Sequence, residues 1–465
     1  MLDFTNFFKG KKVTVFGLGV HGGGLAITKF LAKYGAKVIV TDIKTKEQLA
    51  SSLEKLKDVK NVEYVLGQHR PEDFTNADMI IKTPGVSWDN KYLKLAAEKN
   101  IPVEMDSGLF FRFCKNPIIG VTGTKGKTTT ATIIYEILKS AGKNPVKAGI
   151  GQVAVLDKLE LLKKESVVVF ELSSWRLSAL AKEKKSPQIA VVKNILPDHL
   201  NYYKTMESYI ADKKNIFLFQ KQNDYLIINE DDEIVKKFAG ESKSQIIKFS
   251  YSPIRDGKSV YVEEEAIYIN NGNDCKKLID IKDLKMRGLH NVSNMLAGIA
   301  AVFAYGVEIT EIKKAVLEFK GVPHRLEFVK EIRNVKYYND TTATIPDAAI
   351  SAVNSFSEPV ILIAGGTDKN LDFKNFIPNI EKVKKIILLK GTATDKILEE
   401  AKKIGSEKII NSGVVDSMEK AVWEASQDAK AEDVVLLSPG AASFGLFANE
   451  FERGDKFKEA VSKLK

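Results

Sequence analysis

The stretch Val121-Thr122-Gly123-Thr124-Lys125-Gly126-Lys127-Thr128-Thr129 follows an apolar run, Pro117 to Val121, and precedes a segment with Ile133, Ile134, Ile137 and Leu138. The run reads as a buried strand, and the spacing after it as a helix over 130–140. Strand, glycine-rich turn and helix is the setting a phosphate-binding loop needs. Gly123 and Gly126 let the backbone approach a phosphate and aim amide N–H groups at it, and the helix N-terminus adds partial positive charge. Lys127 can reach terminal phosphates, and Thr128 can hold Mg²⁺. Gly123, Thr124, Lys125, Gly126, Lys127, Thr128 and Thr129 are therefore the candidate nucleotide-binding residues. The strict form of the motif has glycine where Val121 stands.

Composition limits what such a loop can serve. A chain of 465 residues, 44% of them hydrophobic, can bury two or three cores. Two cysteines, Cys114 and Cys275, make no disulfide framework and suit a reducing compartment. Met1 to Lys12 lacks a signal-peptide apolar core, and no apolar run is long enough to span a bilayer. A cytoplasmic protein without membrane insertion is expected. The net charge of +10 would suit nucleic acid, but the lysines alternate with Glu and Asp, as on solvated helix faces. An anionic small substrate suits the charge as well, so no nucleic-acid partner is expected. Oligomeric state is not written in the sequence; a monomer is the expectation.

Upstream of the loop, Lys12 to Phe16 reads as a strand, Gly17-Leu18-Gly19-Val20-His21-Gly22-Gly23-Gly24 as a turn into a helix, and Val38 to Val40 as a strand closing at Thr41-Asp42. This is a βαβ start of Rossmann type. Asp78 to Ile81 with Thr83-Pro84-Gly85 adds a strand and a sharp turn. Downstream, the strand Val167 to Phe170 ends in Glu171, a natural ligand for a hard cation, although strand-end glutamates are often plain surface residues. Ile189 to Ile195 is another strand, followed by Pro197-Asp198-His199. Residues 225–282 read as short strands and turns with no chemistry. Ile361 to Ala364, Ile386 to Leu389 and Val434 to Leu437 are unbroken apolar runs, as in buried parallel strands. The result is an α/β fold in three domains, 1–112, 113–320 and 321–465.

The shortened loop, Gly-Thr-x-Gly-Lys-Thr, resembles the ATP loop of the Mur ligases and folylpolyglutamate synthases, with Lys125 where that family has Asn. Further stretches match the Mur ligases in order. Glu171-Leu172-Ser173-Ser174-Trp175-Arg176-Leu177 is similar to the Glu-Leu-Ser-Ser-Phe-Gln-Leu of the members that add D-glutamate. Asp198-His199 with Tyr209 and Lys213, Gly288-Leu289-His290-Asn291-Val292-Ser293-Asn294, and Pro323-His324-Arg325 follow. Asn339-Asp340-Thr341-Thr342-Ala343-Thr344, Ser438 to Phe444, and Glu452-Arg453-Gly454 complete a resemblance that runs from Gly17 to Gly454. It implies an N-terminal Rossmann-like domain that binds the UDP of a UDP-sugar, through Gly19, Val20, His21, Asp42, Lys44, Thr83 and Gly85. It implies a central P-loop ATPase-like domain with ATP and two Mg²⁺ sites, built from Thr128, Glu171, His199 and a carbamylated Lys213. Asn291, Asn294, Arg325 and Asp340 would also meet the nucleotide. Ser173, His324, Thr344, Lys369, Ser443 and Phe451 would meet the substrates, the last five in a C-terminal Rossmann-like domain. Lys127, Glu171, His199 and Lys213 are the implied catalytic residues. Plainer readings exist for some: His21 as a loop residue, Lys213 as a solvated lysine beside Lys214, Asn291 as a helix cap.

The implied reaction is an ATP-dependent amide ligation. ATP phosphorylates the alanyl carboxylate of UDP-MurNAc-L-Ala, and the amine of D-glutamate attacks the acyl phosphate. Transfer between two anions needs charge neutralisation and positioning above all. His199 is a candidate acceptor for the amine proton. Some positions depart from the family: Thr342 stands for Lys, Gly149 for Asn, Gly445 for Asp, and Glu450 for an aromatic residue. A one-residue shift would give Phe451 the aromatic role and leave Glu450 outward, held by Arg453 at i, i+3 spacing. Three alternatives stay open: another acceptor such as L-glutamate, an inactive UDP-sugar-binding homologue, and a P-loop ATPase acting on nucleic acid. The N-terminal unit argues against a folate ligase.

Overall fold

The computed structural model describes residues 4–20, 22–150 and 155–464, so His21 lies outside the described residues. The apolar runs become three mostly parallel sheets. The first has the order β3-β2-β1-β4-β5, from β1 (Lys12–Phe16), β2 (Lys37–Asp42), β3 (Val62–Leu66), β4 (Met79–Lys82) and β5 (Val103–Glu104). Val13 sits opposite Val38 and Met79 in this parallel register. Helix α1 (Gly23–Lys33) buries Ile27, Phe30 and Leu31, at i, i+3 and i+4, against the sheet.

The second sheet contains β6 (Ile118–Thr122), β7 (Asn144–Ala148), β8 (Ser166–Glu171), β9 (Ile189–Val192), β10 (Tyr225–Asn229) and β11 (Gln245–Ser250), all parallel. An antiparallel ribbon, β12 (Lys258–Glu263), β13 (Ala266–Asn271) and β14 (Cys275–Asp280), extends it, with β12 joined to β11 in parallel. The order is β14-β13-β12-β11-β10-β9-β6-β8-β7, so β14 is an outer edge, with Cys275, Lys276 and Lys277 exposed. Because β6 lies between β9 and β8, the loop after β6 opens between Glu171 and the segment that leads to His199. Helix α2 runs Lys127–Ser140, so it starts three residues before the expected 130. Gly126, at φ 83°, ends the loop and lets the helix start at once. Helices α3 (Ser174–Glu183) and α4 (Met206–Lys214) follow β8 and β9.

Helix α5 (Leu289–Ala304) comes before the third sheet in the chain, and that sheet has the order β15-β16-β20-β17-β18-β19. Its strands are β15 (Glu327–Ile332), β16 (Val335–Asn339), β17 (Val360–Gly365), β18 (Lys385–Leu389), β19 (Gly413–Val415) and β20 (Val434–Leu437), and only β15 is antiparallel to its neighbour. Alternation along β17 sends Leu362 and Ala364 to one core with Phe376 and Ile380, and Ile361 and Ile363 to another with Phe457 and Val461. Phe457 and Val461 belong to helix α6 (Glu450–Ser462).

The first two sheets lie in one compact unit, Met1–Asp280 with Ser293–Val316; the third lies in another, Ile281–Val292 with Leu317–Lys465. Among the described residues, no helix is long and apolar enough to cross a membrane.

Candidate active site

The phosphate loop takes the shape its glycines permit. Gly123 has φ 155° and Gly126 φ 83°. A Cβ on Gly123 would stand 2.7 Å from Lys193 Cβ, and one on Gly126 would collide with Asn294 Oδ1. Asn194, just past β9, holds the loop: its Oδ1 accepts from the amides of Thr124 (3.0 Å) and Lys125 (2.8 Å). The Thr124 hydroxyl donates to Leu196 O at 3.1 Å and lies 3.1 Å from Tyr209 Oη. Lys127 Nζ donates to Gly123 O and Thr124 O, each at 3.0 Å. Thr129 is buried in the first turn of α2. Sequence reasoning passed over Asn194. Its one signal was an amide residue directly after an apolar strand, and only the pairing of β9 with β6 gives that position meaning.

Across the loop, Thr128 Oγ1 donates to Glu171 Oε2 at 2.9 Å. Lys213 is not a solvated lysine. It is 1% exposed, with Nζ 3.0 Å from Gly123 O and 4.7 Å from the Tyr209 ring centre. Burial and then the charge of Lys127 push its ammonium well below the usual range, against the pull of Asp198. His199 adopts φ 55°, lies 4.6 Å from the Trp175 ring at a tilt of 39°, and holds Nε2 3.7 Å from Asp198 Oδ2. Its pKa is lowered, first by burial and then by Lys127, Lys213 and Lys125, with Asp198 opposing. Mg²⁺ takes oxygen ligands. The Thr128 hydroxyl and Glu171 carboxylate, already within hydrogen-bond distance, fit that demand. Among the described residues no three His, Cys, Asp or Glu side chains converge to hold a metal. Lys213 brings no oxygen to such a site as an unmodified side chain.

In the first sheet, Asp42 is engaged by backbone. Its Oδ2 accepts from Leu18 N and Gly19 N and its Oδ1 from Lys44 N, each at 2.9 Å, so it shapes the glycine turn. Thr83 Oγ1 donates to Phe16 O at 3.1 Å, and a Cβ on Gly17 would meet it at 2.5 Å. Val20, Lys44 and Gly85 are exposed. Ser173 caps α3 by accepting from Arg176 N at 3.4 Å. Gly149, where the family has Asn, has φ 68°, and a Cβ there would stand 2.6 Å from Glu171 O. In this chain the backbone itself excludes the side chain.

The hinge and acceptor segments lie in the second unit. His324 and Leu326 have φ 66° and 43°, a tight turn with Arg325 exposed between them. Asp340 is buried and accepts from Leu326 N (3.1 Å) and Ser438 Oγ (2.9 Å); burial pushes its pKa up to about 7. Thr342, standing where a lysine was expected, donates its hydroxyl to His324 O at 2.9 Å and so closes the turn. Thr344 is half-buried one residue beyond Ala343. Arg453 does not hold Glu450 by a hydrogen bond, as its spacing suggested. It is 0% exposed and donates to Thr341 Oγ1 (3.0 Å), Thr341 O (2.8 Å) and Ala441 O (3.1 Å), feeling Glu450 only through space. The Asn339–Thr344 and Ser438–Ser443 loops demand more of it than a helix neighbour does. Phe451 is exposed, edge-on to His324 at 5.5 Å. Lys369 Nζ lies 5.0 Å from the Phe444 ring centre, and Ser443 Oγ is buried with no hydrogen-bond partner among the described residues. Asn291 lies within the first turn of α5, and its Nδ2 donates to Arg287 O at 2.8 Å. Asn294, in the first unit, has Oδ1 3.4 Å from Thr130 Oγ1.

A phosphate loop at the carboxyl end of an inner strand of a parallel sheet, beside a strand-end acid and several lysines, is equipment for phosphoryl transfer. The chain belongs to the Mur ligase family. Residues 11–104 match the Mur ligase MurD-like N-terminal domain, 121–302 the Mur ligase middle domain, and 324–440 the Mur ligase glutamate ligase domain. It is similar to the UDP-N-acetylmuramoylalanine–D-glutamate ligase of Roseiflexus sp. (strain RS-1), 39% identical over 460 residues, 97% of this chain and 98% of that one. The enzyme of the same name from Borreliella afzelii (strain PKo) is 39% identical over 456 residues, 97% of each chain. Among solved structures, UDP-N-acetylmuramate-alanine ligase MurC from Thermotoga maritima has a TM-score of 0.60 at 20% identity, over 98% of this chain and 100% of that one. MurF ligase from the same organism, in complex with ADP, has a TM-score of 0.57 at 18% identity, over 100% of both chains. These two likenesses concern the fold.

Proposed function

We propose that the chain joins D-glutamate to UDP-N-acetylmuramoyl-L-alanine at the expense of ATP, in peptidoglycan precursor synthesis. The observation that carries this reading is the full-length similarity to ligases of that name. The contact of Thr128 with Glu171 at the mouth of the phosphate loop supports its ATP dependence.

In the reading, Lys127 leaves the carbonyls of Gly123 and Thr124 for the β- and γ-phosphates, and the amides of residues 124–129 cradle them. Thr128, Glu171, His199 and carbamylated Lys213 would hold two Mg²⁺ ions, which when bound neutralise phosphate and carboxylate charge. A carbamate supports this arrangement because a free ammonium at Lys213 would repel Lys127. Asn291, Asn294, Arg325 and Asp340 complete the nucleotide contacts. Gly19, Val20, His21, Lys44, Thr83 and Gly85 take the UDP-sugar on a turn shaped by Asp42, with Ser173 beside it. The alanyl carboxylate oxygen bonds to the γ-phosphorus as the bond to ADP breaks. The D-glutamate nitrogen then bonds to the acyl carbon as the bond from that carbon to phosphate breaks, and the proton shed by the amine leaves with the phosphate. His324, Thr344, Lys369, Ser443 and Phe451 form the acceptor pocket. The orphaned Ser443 hydroxyl supports this, since a ligand carboxylate would satisfy it. The domains are 1–112, 113–320 and 321–465; the enzyme is a monomer of the cytoplasm, as two free cysteines suit.

The test is phosphate release. Release should require ATP, UDP-MurNAc-L-Ala and D-glutamate together, with D-glutamate preferred over L-glutamate, D-aspartate, L-alanine and L-lysine. A better acceptor elsewhere in the panel would overturn the assignment of the step but not the ligase chemistry.

A further inference from the structure

Lys193 stands directly after the apolar run of β9 and is 1% exposed. Its ammonium donates to Ser293 Oγ at 2.8 Å and lies 5.0 Å from the Phe249 ring centre. Its stem passes beneath the phosphate loop, with Cβ 2.7 Å from the place a Cβ on Gly123 would take and Cε 3.5 Å from that on Gly126. The Tyr251 hydroxyl also meets Ser293, so the polar surroundings of the amine are neutral. Among the described residues no carboxylate is paired with it, and burial alone holds its pKa well below the usual range. The charged side chains of the loop, Lys125 and Lys127, have the same sign. A buried amine with no counter-ion is destabilising unless an anion arrives beside it. The neighbouring residue, Asn294, abuts Gly126, so Lys193 sits where the loop meets the start of its nucleotide cradle.

We propose that Lys193 is a further nucleotide-binding residue, whose amine finds its counter-ion in the polyphosphate of bound ATP or ADP and whose contact with Ser293 sets Asn294 against the loop. This rests on the reading of residues 123–129 as the ATP loop.

The experiment is isothermal titration of the full-length protein with ADP and with adenosine, for wild type and Lys193→Met, which keeps the length of the side chain and removes the amine. The Kd for ADP should rise about tenfold, as for a lost charge-assisted contact, while that for adenosine stays within about twofold. The free variant should melt at the same temperature or higher, because an uncompensated amine has gone, yet gain less from saturating ADP. Lys193→Arg, which keeps the charge, should retain part of the ADP affinity; Lys193→Gln replaces the Met variant if that one fails to fold. Equal losses for ADP and adenosine, or no loss for either, would overturn the proposal. Lys127→Ala separates the two readings. If it too binds ADP like wild type, the loop reading itself falls; if it weakens ADP while Lys193→Met does not, only the role of Lys193 falls.

Discussion

At Lys213, the proposed carbamylation would reverse the sign of the local field. As an ammonium beside the carbonyl of Gly123 it would be a third cation with Lys127 and Lys125; as the proposed carbamate it would be an anion with two oxygens. Lys213→Ala should therefore lose activity by roughly a thousandfold or more, as for loss of a major electrostatic contributor, and regain part of it with formate or acetate. Steady-state kinetics with and without these anions checks this. Lys127→Ala should likewise lose about a thousandfold in kcat while UDP-sugar binding, measured by titration, stays within about twofold. These residues were legible in the sequence because each belongs to a motif whose residue types have few other uses together. The hold of Asn194 on the loop and the place of Lys193 beneath it were not, because both come from strand order. Only the placement of β9 beside β6 brings them to the loop. Gly149 was legible as a departure, but its reason, a left-handed backbone pressed against Glu171 O, lies in the fold.

At the scale of elements, the loops after β16 and β20 are joined by one side chain from α6. Removing the Arg453 guanidinium strips the donors from Thr341 O and Ala441 O in a dry interior. Arg453→Ala should cost roughly 3–5 kcal/mol, from unsatisfied carbonyls and a cavity. Urea denaturation of the second unit measures it. Asp340 in the same loops gives a pH signature. Its folded pKa, about 7, exceeds its ordinary value of 3.8, so the protonated form favours folding. The stabilisation is fully present below about pH 4 and is lost as pH rises through about 7, to the extent of no more than about 4 kcal/mol. Melting curves from pH 4 to 8 should show a downward slope that Asp340→Asn flattens. The strands themselves were readable from their unbroken apolar runs. The ribbon β12–β14 was readable only as short strands, since nothing local tells that it extends the parallel sheet.

For the molecule as a whole, the proposed sites are divided between units: phosphate loop and UDP turn on the first, acceptor pocket on the second. Ser443→Ala and Lys369→Ala should each raise the KM for D-glutamate about tenfold, as for a lost contact to a carboxylate, and leave ADP and UDP-sugar affinities within about twofold. If either substitution left acceptor preference and KM unchanged, the pocket would need other residues. The outer strand β14 has a different use. Cys275 is exposed there, while the half-buried thiol of Cys114 is pushed up to about 11 by burial. A maleimide dye at neutral pH should therefore settle on one position per chain, which intact-mass spectrometry would reveal as a single adduct. The protein thus carries its own attachment point for a fluorophore, on the edge of the second sheet opposite β7, with no cysteine to be engineered.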